Sequence, residues 1–253
     1  MTRGDLVIAN SDFTRDHVLS EHRLDRDKIV SIPRGVDLER FNPNWVTPER
    51  VEALRRAWNT PANPEVTTFL LAARLTRIKG HGTVIAAAAA LKAQGRDAFR
   101  ILMVGDDQGR SAYRAELASQ IAAEGLEDQI SLVGHCDDMP AAYLLADVAI
   151  LPSIVPESFG RPAVEPQVMG RPVVASKLGG MTETVIPGET GWLAAPGDVE
   201  AWTHALGRAM EAGPVRLQAM GLVAANRARQ LYSVDAMCAA TLQAYEQVLG
   251  ARS

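Results

Sequence analysis

Four short segments of the 253-residue chain carry side chains that could do chemistry, and each begins where an apolar run stops. In Arg74-Leu-Thr-Arg77-Ile-Lys79-Gly80, Arg74 and Lys79 flank a turn into a helical pattern. Free amides and the helix dipole favour an anion at such a turn, and a guanidinium with an ammonium would clamp a phosphate or diphosphate. The competing reading is a solvated βα loop. The second segment, Pro156-Glu157-Ser-Phe159-Gly160-Arg161-Pro162-Ala-Val-Glu165, sets one carboxylate ahead of a helix and another in its first turns, with Pro162 at the first helical position. Two carboxylates suit a polyhydroxylated ligand, because each accepts hydrogen bonds from neutral hydroxyls. Glu165 could instead complement the helix dipole. Third comes Lys177-Leu-Gly179-Gly180-Met-Thr-Glu183, where the glycine pair allows close backbone approach to a ligand and Glu183 could meet a hydroxyl. The fourth, Val104-Gly105-Asp106 with Val133-Gly134-His135, supplies two turns fit to wall a base pocket; His135 alone reads more simply as a turn residue.

These segments need strand ends to hold them. Apolar runs predict strands over Leu6–Ala9, Ile29–Ile32, Val66–Ala72, Arg100–Val104, Ile130–Val133, Val148–Leu151, Pro172–Ala175 and Trp192–Ala194. Most lack alternation, so both faces are covered and the sheet is parallel. Helices are expected over Gly80–Ala93, Ser111–Glu124, Met139–Ala146 and Arg161–Met169, a short one over Val51–Trp58 in a proline-rich connector, and only helix from Val199 onward, ending in Ser233–Leu249. The fold class is therefore doubly wound α/β, with ligands at the carboxyl ends of the strands.

Composition closes other routes. A net charge of -4, from 26 basic and 30 acidic residues, gives no broad positive field for nucleic acid or anionic lipid. Cys136 and Cys238 lie far apart and outside any C-x-x-C spacing, which argues against a disulfide scaffold and a cysteine zinc site. No apolar run reaches the ~18 residues of a membrane span, and the first residues lack signal-peptide character, so a cytoplasmic location is expected. A phosphate loop, H-E-x-x-H, a G-x-S-x-G elbow and a G-x-G-x-x-G helix opening are all missing, and no metal is implied.

Taken together, the segments resemble the carboxyl-terminal, nucleotide-sugar-binding half of retaining glycosyltransferases of the GT-B fold, in family 4 of that classification. The likeness rests on Arg74 with Lys79-Gly80, on Glu157 and Glu165 with seven residues between them, on Gly170-Arg-Pro-Val-Val-Ala-Ser176, on Gly179-Gly180 with Glu183, and on Gly188 through Gly191-Trp-Leu193. Ile32-Pro-Arg-Gly35-Val-Asp37 and Arg40-Phe41 resemble the family's lead into this domain. The resemblance implies that Arg74 and Lys79 hold the donor diphosphate and stabilise its growing charge. It implies that Glu157 contacts the transferred sugar, helped by the backbone of Phe159, Gly160 and Arg161, and that Glu165 takes the ribose. Gly80, Gly105, Leu132, Val133 and His135 would line the phosphate and base positions, and Gly180 and Glu183 would complete the donor site.

The implied reaction moves a hexosyl group from a nucleotide-diphosphate sugar to an acceptor hydroxyl on a glycan or lipid-linked saccharide, with retention, and with neither metal nor further cofactor. Arg34, Arg161 and Pro162 depart from the family's usual residues. Residues 1–28 look like the last strand and helix of a preceding acceptor domain, 29–232 like the donor domain, and 233–253 like a helix crossing back. An amino-terminal domain, a partner chain or dimerisation would then complete the enzyme, which in full length would be cytoplasmic or membrane-peripheral. The alternative is a non-catalytic nucleotide-sugar-binding subunit or sensor. Surface meant for a neighbour would leave an apolar patch near the strand ends and along the last helix.

Overall fold

The computed structural model describes residues 4–109 and 111–250. Six parallel strands form its centre: β3 (Thr67–Ala72), β4 (Phe99–Val104), β5 (Ile130–Gly134), β6 (Val148–Leu151), β7 (Val173–Ser176) and β8 (Gly191–Ala194). Their spatial order is β5-β4-β3-β6-β7-β8. Registers such as Phe69 beside Ile101 and Ala149 beside Val173 keep the carboxyl ends on one side. The order in which strands are added reverses between β3 and β6, which opens a crevice at that switch point.

Side-chain alternation explains the unbroken apolar runs. Phe69 and Leu71 of β3, with Ile101 and Met103 of β4, enter one core; Leu70, Leu102 and Val104 point into the other. The first core is closed by α3 (His81–Ala93), α4 (Ser111–Ala123) and the first part of α8 (Val199–Leu231), where Trp202 is fully buried. The second is closed by α5 (Met139–Leu145) and α6 (Arg161–Val168), through Tyr143, Val164 and Val168. Each large side chain removed from water contributes about 1.5–3 kcal/mol before entropy is counted. Helix α2 (Pro48–Ala57) lies against α5, where Arg50 grips Asp138 through two hydrogen bonds of 2.8 and 2.6 Å. A four-residue helix, α7 (Met181–Thr184), follows β7.

Two expectations are revised. Among the described residues, strands β1 (Val7–Ala9) and β2 (Ile29–Ser31) pair only with each other, in a separate parallel sheet, because an apolar run reports burial and not its partner. The boundary expected at residue 28 thus runs between two paired strands, joined by α1 (Asp12–Glu21). The helix beginning at Val199 is interrupted at Gly213, with φ 67° and ψ 169°, just before Pro214, which lacks the amide hydrogen that an unbroken helix needs. Pro162, likewise, stands second in α6, after Arg161.

The chain reaches the six-stranded unit and leaves it at one place. Val36 and Ser233 form a parallel bridge, the Val36 amide donates to Tyr232 O (2.7 Å), and the backbone at Val234 packs against Gly35. Ser233 caps α9 (Val234–Gly250), accepting from the Ala236 amide at 3.1 Å. Exposed Val234, Cys238, Leu242, Tyr245 and Leu249 recur along one face of that helix, and Ile78, Ile154 and Val155 are exposed beyond the strand ends, so the expected apolar surface is present. No described helix is long and apolar enough to cross a membrane.

Candidate functional site

At the switch point a cavity of about 230 Å³ lies between the ends of β3 and β6. Arg74, Lys79, Ser153, Glu157, Gly160, Pro162 and Met181 are among its walls. Lys79 is placed by a tight turn: Gly80, at φ 72°, ends a short 3-10 helix and opens α3. A Cβ on Gly80 would lie 1.9 Å from Pro152 O, so only glycine lets the two loops approach. The ammonium of Lys79 donates to Glu157 Oε1, which also accepts from Ser153 Oγ at 3.0 Å. Arg74 is exposed and has no carboxylate partner among the described residues. One cation is thus held by a carboxylate and the other is available to an anion.

A second cavity, about 400 Å³, shares Ala72, Ala73, Arg74 and Pro162 with the first and continues toward β4 and β5. Gly105, Asp106, His135, Cys136, Met139, Tyr143 and Glu165 line it. Glu165 accepts from the Tyr143 hydroxyl (3.2 Å) and lies 3.7 Å from Arg161 Nε. Burial raises its pKa from the ordinary carboxylate value, against the pull of Tyr143, Arg161 and Arg40. An acceptor held in place and short of partners can take neutral hydroxyls.

Arg74, Lys79, Glu157, Gly160, Gly105, His135 and Glu165 therefore meet along one crevice. The other sequence-derived candidates stand around it. Gly80 is in the turn behind Lys79. Leu132 and Val133 lie in β5, where Leu132 O accepts from Arg114 Nη2 at 2.9 Å, and neither lines the two cavities. Phe159 is buried edge-on against Tyr232 at 5.4 Å. The amides of Phe159, Gly160 and Arg161 have no hydrogen-bond partner among the described residues.

Gly180 and Glu183 are engaged by the protein itself. A Cβ on Gly180 would fall 2.6 Å from Phe159 Cα, and its amide donates to Glu157 O (2.8 Å); the close approach expected for a ligand is made by this loop. The Glu183 carboxylate accepts from the amides of Asp12 (3.0 Å) and Phe13 (2.6 Å), capping α1. Sequence reasoning missed Ser153, Tyr143, and the contacts of Asn10, Ser11 and Thr14 with Ser158. A lone hydroxyl has no spacing signature; only its short distance past the end of β6 singles out Ser153.

Fold and site define a Rossmann-like binding domain whose switch-point crevice mixes cations with carboxylates. The chain belongs to the family of glycosyl transferases group 1, whose model matches residues 52–221; the model of glycosyltransferase family 4 matches residues 1–40. Among similar proteins is the D-inositol 3-phosphate glycosyltransferase of Kineococcus radiotolerans, 32% identical over 99% of this chain and 59% of that protein. Its counterpart in Corynebacterium urealyticum is 30% identical over 81% of this chain and 48% of its own length. A crystallised glycosyltransferase of Rickettsia africae superposes with a TM-score of 0.92 at 32% identity, covering 98% of this chain and 64% of that one. Anabaena HepE, solved with UDP-glucose, gives 0.84 at 27% identity, over 97% and 65%. The chain spans about half the length of the curated relatives it matches. The doubly wound, Rossmann-like sheet expected as the carboxyl-terminal half of a GT-B fold is met.

Proposed function

We propose that this chain is the donor-binding part of a retaining glycosyltransferase that moves a hexosyl group from a nucleotide-diphosphate sugar to an acceptor hydroxyl of a glycan or lipid-linked saccharide. The observation that carries the reading is the convergence of Arg74, Lys79, Glu157 and Glu165 on adjoining cavities at the switch point. The base lies toward Gly105 and His135 at the ends of β4 and β5, the ribose hydroxyls donate to Glu165, and the diphosphate lies between Arg74, Lys79 and the amides of Phe159, Gly160 and Arg161. The hexose reaches Glu157. In the free protein Glu157 holds Lys79, so an arriving phosphate shares an ammonium already in position.

Catalysis in this reading is electrostatic. As the glycosidic bond breaks, charge grows on the leaving phosphate, and Arg74 and Lys79 oppose it inside a partly water-excluded crevice. The leaving phosphate takes the acceptor's proton on the same face, Glu157 acts as a binder of sugar hydroxyls, and no metal enters. The end of a preceding acceptor domain is taken to run to Ser31, which keeps β1 and β2 together, with the donor domain following to residue 232 and the segment from Ser233 returning toward the first. HepE's complex with UDP-glucose supports a nucleotide-sugar donor.

Titration calorimetry with UDP, GDP and ADP in EDTA tests the binding step. One diphosphate should bind, and Arg74→Ala or Lys79→Ala should each weaken it about 10- to 100-fold, the worth of one charge-assisted contact. Absence of binding by all three, or unchanged affinity in both variants, refutes the assignment. With a supplied amino-terminal domain, NMR of the product should show the donor's anomeric configuration.

A further inference from the structure

Ser11 is fully buried, although it lies between polar Asn10 and Asp12. Its hydroxyl reaches Ser158 O, in the loop that carries Glu157, from 147 residues earlier in the chain. Thr14 Oγ1 donates to the same carbonyl at 3.1 Å, and Asn10 Nδ2 donates to Ser158 Oγ at 3.2 Å. Glu183 fixes the start of α1 from the other side by capping Asp12 and Phe13. One end of α1 is therefore fastened to both the Glu157 loop and the turn after Gly180.

Fastening a carbonyl also aims the next amide. In a trans peptide group C=O and N–H point in opposite directions. With Ser158 O turned toward Ser11 and Thr14, the Phe159 N–H must face away from α1. The preceding peptide is pinned as well, by the Gly180 amide on Glu157 O (2.8 Å). Hydroxyl donation to Ser158 O polarises its peptide group and strengthens Phe159 N–H as a donor. The loop presents three successive amides without partners among the described residues, beside a cavity walled by Arg74, Lys79 and Glu157.

We propose that Ser11 and Thr14 are positioning residues for donor recognition: by holding Ser158 O they present the Phe159–Arg161 amides to the second phosphate of a nucleoside diphosphate. This rests on the donor-site reading given above. The effect should be specific to that phosphate, because base and ribose are held from Gly105, His135 and Glu165, away from α1.

The test is calorimetry on the full chain, using whichever of UDP, GDP and ADP the parent binds, together with its monophosphate, and with melting temperatures recorded alongside. Ser11→Ala/Thr14→Val should weaken the diphosphate at least tenfold and change the monophosphate less than twofold, while Thr14→Ser, which keeps the hydroxyl, should retain parental affinity. Ser11 also caps α1 through the Thr14 amide (3.0 Å), so if the double variant does not fold, Thr14→Val is read alone against the same criteria. Equal diphosphate affinity in variant and parent overturns the proposal, as does an equal loss for both nucleotides. A parent chain that binds no nucleotide refutes the donor-site reading instead, which keeps the two failures apart.

Discussion

Glu165, in the proposed ribose role, would trade stability for binding. Because burial raises its pKa in the folded state, ionising it costs stability, and that cost appears as the pH rises through the folded value. Glu165→Gln should therefore raise Tm by about 2 °C at neutral pH while weakening the bound nucleoside monophosphate about tenfold, as thermal melts and calorimetry would show. His81 works the other way. It is fully buried at the start of α3, edge-on to Tyr113 at 6.2 Å, and both ring nitrogens lack a hydrogen bond of sound geometry, although the backbone of Thr76 and Ala73 faces them. Burial, with a smaller contribution from Lys79, lowers its pKa from 6.5 to about 4. The unfolded chain takes up a proton that the folded chain refuses, so the stability present above pH 6.5 falls by about 3 kcal/mol on the way to pH 4. Urea unfolding across this window should give a shallower acid limb in His81→Phe; an equally steep limb would assign the loss to other groups. That Arg74, Lys79, Glu157 and Glu165 meet at one crevice was legible because each stands at a strand end or helix start, which a parallel sheet gathers on one side. Glu183 satisfied the same rule, yet it caps α1, since spacing does not say which of two nearby amide sources a carboxylate will choose.

At the scale of elements, the turn joining β3 to α3 decides whether Lys79 arrives at the cavity. Gly80→Ala should abolish diphosphate binding and cost about 3 kcal/mol or more, combining left-handed strain with the contact on Pro152 O. Gly95 follows α3 at φ 73° with open space around it, so Gly95→Ala should cost only about 1 kcal/mol and leave binding intact. Denaturant midpoints for the two variants, read beside their affinities, separate strain from collision. Strands of the central sheet were readable within a residue or so at each end, because apolar runs buried on both faces have few rivals. What they could not disclose was partnership: Ile29–Ser31 is as apolar at its start as a central strand but pairs with Val7–Ala9. Helix α7 escaped because four residues are too few for a helical period to emerge.

For the molecule as a whole, the exposed stripe of α9 governs behaviour in solution. Leu242 and Tyr245 are 61% and 59% exposed, an unfavourable arrangement for neighbouring apolar side chains on one helix. Analytical ultracentrifugation should find concentration-dependent association of the chain, with Leu242→Glu/Tyr245→Glu shifting it toward monomer; a parent that stays monomeric at high concentration contradicts this. The parallel bridge between Val36 and Ser233 has a different outcome. Everything from 37 to 232 is threaded through a single doorway, with Gly35 pressed against Val234 at the jamb. Force applied to both flanking segments would load that pair together with the ties of α1 to Ser158 and Glu183, so the unit is a leaf latched at its free edge as well as hung at the jamb.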